Sequence, residues 1–209
     1  MHLPPDDVLV DKLRAGDEAA FAAMLDAWSS GLHRVARGFV STPDTAAEVV
    51  QDTWLAVIQG LPGFEGRSSL KTWVFRILIN TARRRAGKEG RTVPWSSLTA
   101  ADEGPTVDPS RFAGPGHPYA GHWVDGPGPW PDPQDATLSA EIRRRAADAL
   151  ADLPARQRVV ITLRDVEGYD AAEVCALLEI SAANQRVLLH RARAYVRGQL
   201  EAYFAEVSP

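Results

Sequence analysis

A run of proline and glycine near the middle of the chain is the feature that most constrains the fold. Residues 94–135 hold nine of the 15 prolines and six of the 16 glycines, a density that interrupts helices and sheets alike. We therefore predict a linker here between two folded domains, residues 1–93 and 136–209. The linker is acidic, with one basic residue and six acids, and it contains five large aromatic residues: Trp95, Phe112, Tyr119, Trp123 and Trp130. Such a segment is expected to lie extended in a groove, on a partner or on the flanking domains.

Apolar residues on both sides of the linker recur every three to four positions, which predicts amphipathic helices and no strands. Before the linker the predicted helices cover residues 6–14, about 18–40, about 44–60 and a basic helix that ends near Gly87. After the linker they cover about 136–152, 155–166, 170–178 and about 182–204. The predicted fold class is therefore all-α, with two small helical domains joined by the Pro/Gly-rich linker.

Composition narrows the class of protein further. No apolar run reaches the roughly 18–20 residues of a membrane span, and residues 1–12 lack the apolar core of a signal peptide. The lone cysteine, Cys175, excludes an intrachain disulfide framework and fits a reducing compartment. We expect a cytoplasmic protein without a membrane anchor.

The most charged stretch is Arg67–Arg91, which carries eight basic residues and one acid in a chain of net charge -4. Apolar residues at 70, 74, 77 and 78, followed by a threonine at 81, predict one buried helix face. Trp73 heads another face that carries these polar residues: Arg76, Asn80, Arg83 and Arg84. Guanidinium groups bind phosphates and an amide hydrogen-bonds base edges, so this face suits nucleic acid. An isolated basic run is more often a solvated surface, and the assignment depends on the rest of the chain.

Two further patterns supply that support. The helix at 44–60 has a predicted core face of Ala46, Val50, Trp54, Val57 and Ile58, and it leaves a second face exposed: Glu48, Gln51, Asp52 and Leu55. Near the end of the chain, residues 179–181 separate two predicted helices, which is the spacing of a helix-turn-helix. The second of these helices is basic, with no acid before Glu201.

Three stretches in this order resemble the sigma-70 family of bacterial transcription initiation factors, in its extracytoplasmic-function (ECF, group 4) branch. They are AGDEAAFAAML, AAEVVQDTWLAVIQGLPGFEGRSSLKTWVFRILINTARRR and DLPARQRVVITLRDVEGYDAAEVCALLEIS. The resemblance covers roughly residues 7–98 and 136–202. It implies a four-helix region 2 domain, a helix-turn-helix region 4 domain, and an alternative sigma factor that takes core RNA polymerase to promoters.

The resemblance also implies roles for the first domain. The exposed face of the third helix would bind the β′ clamp helices of the polymerase through these residues: Glu48, Gln51, Asp52 and Leu55. The loop and basic helix would bind and melt the −10 element through a larger set: Phe64, Arg67, Ser68, Ser69, Lys71, Arg76, Asn80, Arg83 and Arg84. A base flipped from the duplex needs a pocket with hydrogen-bond donors on its edge. Phe64 either stacks on that base or fills the domain core, and Trp73 is either a core residue or a wedge.

For the second domain the resemblance implies contact with the polymerase β flap and with the −35 element. The implied −35 residues are Ser181, Asn184, Gln185, Arg186, His190, Arg191 and Arg193. Arg186 suits guanine, Asn184 or Gln185 suits adenine, and the later arginines suit phosphates. The apolar pair Val187-Leu188 departs from the polar residues usual in the family, which implies a shifted core face.

The sequence shows no catalytic constellation, cofactor motif or metal-ligand cluster. The five histidines are scattered, and His117 and His122 would supply only two ligands. Two alternatives remain beside the initiation factor: a stand-alone helix-turn-helix regulator, and a polymerase-binding decoy that never contacts DNA. An anti-sigma factor is a further implied partner. Because residues 1–98 and 136–209 are each near neutral, we expect weak DNA binding by the free protein, and exposure of the basic faces when polymerase separates the domains.

Overall fold

The structure is a computed structural model that describes residues 3–90 and 136–207. Every regular element in these two ranges is helical, which confirms the predicted all-α class. The predicted linker, with its aromatic residues and its two histidines, lies outside the described residues. The Cα packing divides the chain into two compact units, and each is described by itself below.

The first unit contains four N-terminal helices: α1 (Asp6–Arg14), α2 (Glu18–Ala36), α3 (Pro43–Gly60) and α4 (Leu70–Lys88). Helices α2, α3 and α4 pack against one another, and fully buried side chains such as Met24, Leu32, Phe75 and Leu78 form their core. The exposed fraction of Ile58, which was expected in this core, is 52%. That expectation is wrong, because Val57 takes the inward position on the last turn of α3.

Side-chain caps explain where these helices begin. The carboxylate of Asp17 accepts a hydrogen bond from Ala20 N, the hydroxyl of Thr42 accepts one from Thr45 N, and Ser69 Oγ accepts one from Thr72 N. Each cap satisfies one of the backbone N–H groups that a helix leaves without a partner in its first turn. A 3₁₀ turn, Leu61–Gly63, continues directly from α3.

The first unit also includes Thr162–Ala182. This segment contains a π-helical turn, Thr162–Val166, and helix α7 (Ala171–Leu178), which packs on α4. Sequence periodicity predicts one helix over 155–166, but helix α6 ends at Ile161 and the π turn follows it. The division of the chain at residues 94–135 stays a prediction, and the packing adds that Thr162–Ala182 groups with the N-terminal helices.

The second unit contains α5 (Ala136–Asp152), α6 (Ala155–Ile161) and almost all of α8 (Ala182–Val207). Its buried apolar residues include Leu153, Val159, Val160, Leu188 and Leu200. The guanidinium of Arg145 on α5 lies 5.0 Å from the centroid of the Tyr203 ring on α8, a cation–π contact between the two helices. Among the described helices, none is both long and apolar enough to cross a membrane.

Candidate nucleic-acid interface

Helix α4 presents a polar stripe to solvent. Arg76, Asn80 and Arg84 are exposed and lie four residues apart, so they follow one another along one side of the helix. The opposite side is buried through Leu70, Val74, Leu78 and Ala82. The packing of α4 in the core therefore determines which way the stripe faces. Two guanidinium groups flank one amide, a set of donors that suits phosphates and base edges.

Lys71, one turn before this stripe, is held by Glu167. The Lys71 ammonium lies 3.1 Å from Glu167 Oε2 and donates a 2.9 Å hydrogen bond to Glu167 O. Arg34 on α2 donates to Glu167 Oε1 at 2.7 Å. Only 8% of the Glu167 side chain is exposed, and a Cβ built on Gly31 would lie 2.5 Å from its Oε1. The glycine leaves the space that this carboxylate occupies.

Arg83 is held by the end of α7 in the same manner. Its guanidinium contacts Glu179 Oε1 at 2.9 Å and donates to Leu178 O at 2.6 Å. Phe75 and Tyr169 pack edge to face beside the Lys71 ammonium, with ring centroids 5.4 Å apart. Burial of the Tyr169 phenol, and then the negative charges of Glu167 and Glu173, raise its pKa. Two of the basic residues predicted to bind DNA are therefore engaged with acids of Thr162–Ala182.

The loop before α4, residues 61–69, brings the remaining predicted −10 residues together. Phe64 packs on Trp73, with ring centroids 5.1 Å apart, and both side chains are half-buried. Arg67 is 86% exposed and lies 3.2 Å from Glu65. Ser68 donates to Ser69 O at 3.3 Å, and Ser69 caps α4. Gly66 has φ +70°, a conformation that favours glycine.

The predicted polymerase-binding residues also share one exposed face. Glu48, Gln51, Asp52 and Leu55 are all exposed on α3, and 57% of Leu55 is accessible. Ile58, which was expected in the core, lies one turn further along the same helix and extends this exposed face. Glu48 forms an ion pair with Arg85 of α4. The face combines acids with two large apolar side chains.

Helices α7 and α8 are separated by the three residues predicted for the turn, 179–181. Asp170 and Glu173 form a reciprocal capping box at the start of α7. Glu179 ends the helix with φ 53°, a left-handed conformation typical of helix C-termini. The helix-turn-helix order is therefore present in the structure.

Helix α8 carries a second exposed stripe, formed by Arg186, His190, Arg193 and Arg197. Asn184 and Gln185, predicted to read bases, are only 5% and 1% exposed. They precede Leu188 and Leu189 by four residues and so belong to the buried face of the helix. That burial does not favour a base-reading role for either side chain, and the role stays a prediction. Arg191 is half-buried, while Ser181 is exposed.

Within residues 3–90 and 136–207, no group of three His, Cys, Asp or Glu side chains is placed to hold a metal ion. Cys175 on α7 is half-buried. The exposed guanidinium and amide groups of the two stripes can make ionic and hydrogen-bonding contacts with a polyanion.

Comparison with known proteins connects these surfaces to a family. A family model described as Sigma-70 region 2 matches residues 24–92, and a second, Sigma-70 region 4, matches residues 143–196. Together they cover more than half of the chain. The chain belongs to the sigma-70 family. The curated relatives that align with it are described as ECF RNA polymerase sigma-E factors.

Sigma factors of this branch align along nearly all of the chain. The ECF RNA polymerase sigma-E factor of Haemophilus influenzae is 24% identical over 196 residues, which is 94% of this chain and 95% of that protein. The corresponding factor of Escherichia coli K12 is 26% identical and covers 94% of each.

Two solved structures are similar in fold to this chain. CnrH, in complex with the cytosolic domain of CnrY, has a TM-score of 0.53 and 22% identity over 94% of this chain and 97% of that chain. RpoE from Bartonella quintana, in complex with the anti-sigma factor NepR, has a TM-score of 0.53 and 23% identity over 86% and 96%.

Sequence reasoning about this sigma factor missed three features. The ion pairs of Lys71 and Arg83 join residues 95 or more positions apart, and periodicity carries no information on such contacts. Arg197, which lies on the exposed stripe of α8, was not among the residues implied to bind the −35 element. The burial of the two amides on α8 had a signal, since Leu188 and Leu189 follow them at helical spacing.

Proposed function

We propose that this ECF sigma factor binds core RNA polymerase through α3, melts the −10 element with loop 61–69 and α4, and contacts the −35 element through α8. That it is an alternative sigma factor directing transcription initiation follows from its family. The observation that carries the finer proposal is the exposed stripe of Arg76, Asn80 and Arg84, which begins directly beyond a glycine-containing loop rich in donors.

At the −10 element, loop 61–69 and the stripe have complementary roles. Arg67 and the two serines supply donors for a base that has left the stack, where lost stacking of a few kcal/mol must be replaced. Arg76 and Arg84 hold the backbone, and Asn80 contacts a base edge. Phe64 lies against Trp73 in the free protein, so a role in stacking on DNA would require that contact to open.

At the −35 element, the exposed stripe of α8 lies in the major groove. Arg186 is the first residue of the stripe and the candidate for bidentate contact with guanine. Arg193 and Arg197 are placed further along and bind phosphates. Ser181 contacts the backbone where the helix enters the groove, and His190 lies between the two sets.

The polymerase contact is supported by the composition of the α3 face. Glu48 and Asp52 precede the exposed Leu55 and Ile58 on one face of the helix, and large apolar side chains bordered by charged ones are common in protein interfaces. The β′ clamp helices are the proposed partner there, and the β flap is the proposed partner of the second domain. The phosphodiester chemistry belongs to the polymerase.

In the free protein, Lys71 and Arg83 are engaged with acids of Thr162–Ala182, so these contacts must break before either side chain can bind a phosphate. This supports weak DNA binding by the free chain. An anti-sigma factor is a further proposed partner, since the solved structure of the RpoE protein contains one. Such a factor would stabilise the form in which these basic residues are covered.

The test is a promoter-opening assay with the purified protein and genomic fragments, with and without core RNA polymerase, read by permanganate reactivity of unpaired thymines. Opening that requires both proteins is expected, with Asn80→Ala and Arg67→Ala each weakening it. Tight duplex binding by the protein alone, without opening on addition of core, would indicate a stand-alone regulator. Core binding without any effect on DNA would indicate a decoy.

A further inference from the structure

Helix α1 contacts both ends of loop 61–69. At the start of the loop, the Arg14 guanidinium donates to three backbone carbonyls: Nε to Leu61 O at 3.3 Å, and Nη2 to Pro62 O at 3.4 Å and to Phe64 O at 2.6 Å. These carbonyls belong to the 3₁₀ turn and the residue after it. A planar guanidinium presents several donors in fixed directions, so it can hold all three carbonyls at once.

At the other end of the loop, Asp6 Oδ2 accepts a 2.6 Å hydrogen bond from Leu70 N. Leu70 is the first residue of α4, and its N–H is one of the groups that a helix start leaves without a partner. A carboxylate at this position also interacts favourably with the positive end of the helix dipole. Asp6 therefore fixes the point at which the loop ends and α4 begins.

Asp6 and Arg14 are the first and last residues of α1, a helix of nine residues. At a rise of about 1.5 Å per residue, their Cα atoms are separated by roughly 12 Å. Leu9, Val10 and Leu13 are buried and fix α1 on the core. A rigid element of constant length therefore connects the two ends of the loop.

Helix α4 also contacts the loop, through the side chain of Trp73. Trp73 packs on Phe64, and a Cβ built on Gly60 would lie 3.1 Å from the Trp73 ring. This leaves Arg67 and Ser68 on the part of the loop between the points that Arg14 and Asp6 hold. Their orientation then depends on where those two points are.

We propose that Arg14 and Asp6 are positioning residues for promoter melting, which hold loop 61–69 in the shape that captures a flipped base. This inference rests on the proposed function of the loop. Helix α1 lies outside residues 24–92, the part of the chain that the region 2 family model matches. Because the loop is already ordered before the promoter opens, no conformational entropy is lost in ordering it during promoter opening.

The test separates promoter binding from promoter opening, using full-length protein assembled with core RNA polymerase. Arg14→Lys keeps the charge but loses the fork of donors, and Asp6→Asn keeps the shape but loses the charge. Each is expected to slow opening about tenfold, measured by stopped-flow fluorescence of 2-aminopurine placed in the −10 element. Affinity for core polymerase and affinity for a −35 duplex are expected to stay within about twofold of the parent protein. The melting temperature is expected to stay within about two degrees of the parent value.

Matched controls lie on the same helix. Asp7→Asn removes an exposed carboxylate from the same turn as Asp6, and Lys12→Gln removes an exposed cation near Arg14. Both are expected to open promoters at the parent rate. If the parent protein opens promoters and Arg14→Lys and Asp6→Asn do so equally fast, the positioning role is wrong. An equal loss of core binding, −35 binding and opening would also overturn it, since that indicates general destabilisation. If the parent protein itself opens no promoter, it is the proposed function that fails.

Discussion

Helices α4 and α8 both carry a basic stripe, but the surroundings of the two stripes differ. The basic residues of α4 lie in a unit that also contains Glu167 and Glu179, and two of them are engaged by these acids. The stripe of α8 is exposed along its length, and the sequence between Ala182 and Leu200 carries no acid. The helix proposed to act on melted DNA is therefore coupled by ion pairs to the packing of its own unit, while the helix proposed to act on duplex DNA has no acid of its own beside its stripe.

This difference has a physical rationale. Binding to duplex phosphates is a counterion-release process that needs only exposed positive charge. Melting replaces base stacking by protein contacts, so it needs a shaped loop and donors that are freed at the right step. Basic residues of α4 that stay paired with acids until polymerase engages, such as Lys71 and Arg83, would suppress binding at random single-stranded sites.

The largest effect is expected from weakening the contact with polymerase, because polymerase brings both helices to the promoter. Asp52→Arg reverses a charge at the centre of the α3 face and is expected to weaken core binding by about 100-fold, close to the 3 kcal/mol of an interface hot spot. Both helices would then lose function together in an in vitro transcription assay.

The control is Asp26→Arg, which makes the same charge reversal at an exposed position of α2. It is expected to assemble and transcribe like the parent protein. Equal losses in the two variants would show that net charge, and not the α3 face, governs assembly.

The next prediction removes the acid that pairs with Lys71, so that α4 resembles α8 in having fewer acids beside its basic residues. Glu167→Gln removes the charge that holds Lys71 and Arg34, and is expected to raise the affinity of the free chain for a single-stranded −10 oligonucleotide by about tenfold, or 1.4 kcal/mol. Gly31→Ala should act in the same direction, because its Cβ would occupy the position of the carboxylate. Fluorescence anisotropy at fixed salt measures both.

Glu141→Gln is the matched control, since it removes an ion-paired acid from α5 in the second unit. Its effect on the same oligonucleotide should stay below twofold. An unchanged affinity in both first-unit variants would show that the covering acids do not limit access to α4.

A smaller effect is expected on α8. Arg193→Ala and Arg197→Ala should each weaken binding of the assembled polymerase to a −35 duplex by about fivefold and lower the slope of log K against log salt by about one. Arg144→Ala, an exposed arginine of α5 bonded to Glu141, is the control and should leave that slope unchanged. Identical slopes in all three variants would remove Arg193 and Arg197 from the interface.

The smallest effect tests the buried face of α8. Gln185 is 1% exposed, and among the described residues none accepts a hydrogen bond from its buried Nε2. Gln185→Met keeps the shape and removes a buried polar group, a change that is near neutral or stabilising. The preference for −35 base sequence is expected to change by less than about twofold. A loss of adenine preference in a competition assay would support the base-reading role.

Much of the architecture could be predicted because local chemistry determines it. Asp17, the Thr42-Pro43 pair and Ser69 mark helix starts, and the apolar spacing of α4 determines its buried side. Contacts between distant residues could not be predicted in this way. Nothing near Arg14 in the sequence indicates that it holds carbonyls 47–50 positions away, and nothing near Glu167 indicates that it fits against Gly31. The exposed α3 face was predicted, but the side to which Ile58 belongs depended on how Val57 packs.

The most direct test of the account compares double variants of the two stripes in one permanganate footprinting experiment at saturating polymerase. Arg76→Ala with Arg84→Ala on α4 is expected to keep the promoter bound but leave the −10 thymines unreactive. Arg193→Ala with Arg197→Ala on α8 is expected to bind more weakly, yet to give reactive thymines once saturated. If both pairs lose binding and opening in the same proportion, the two helices do not divide duplex recognition and melting between them, and the account is contradicted.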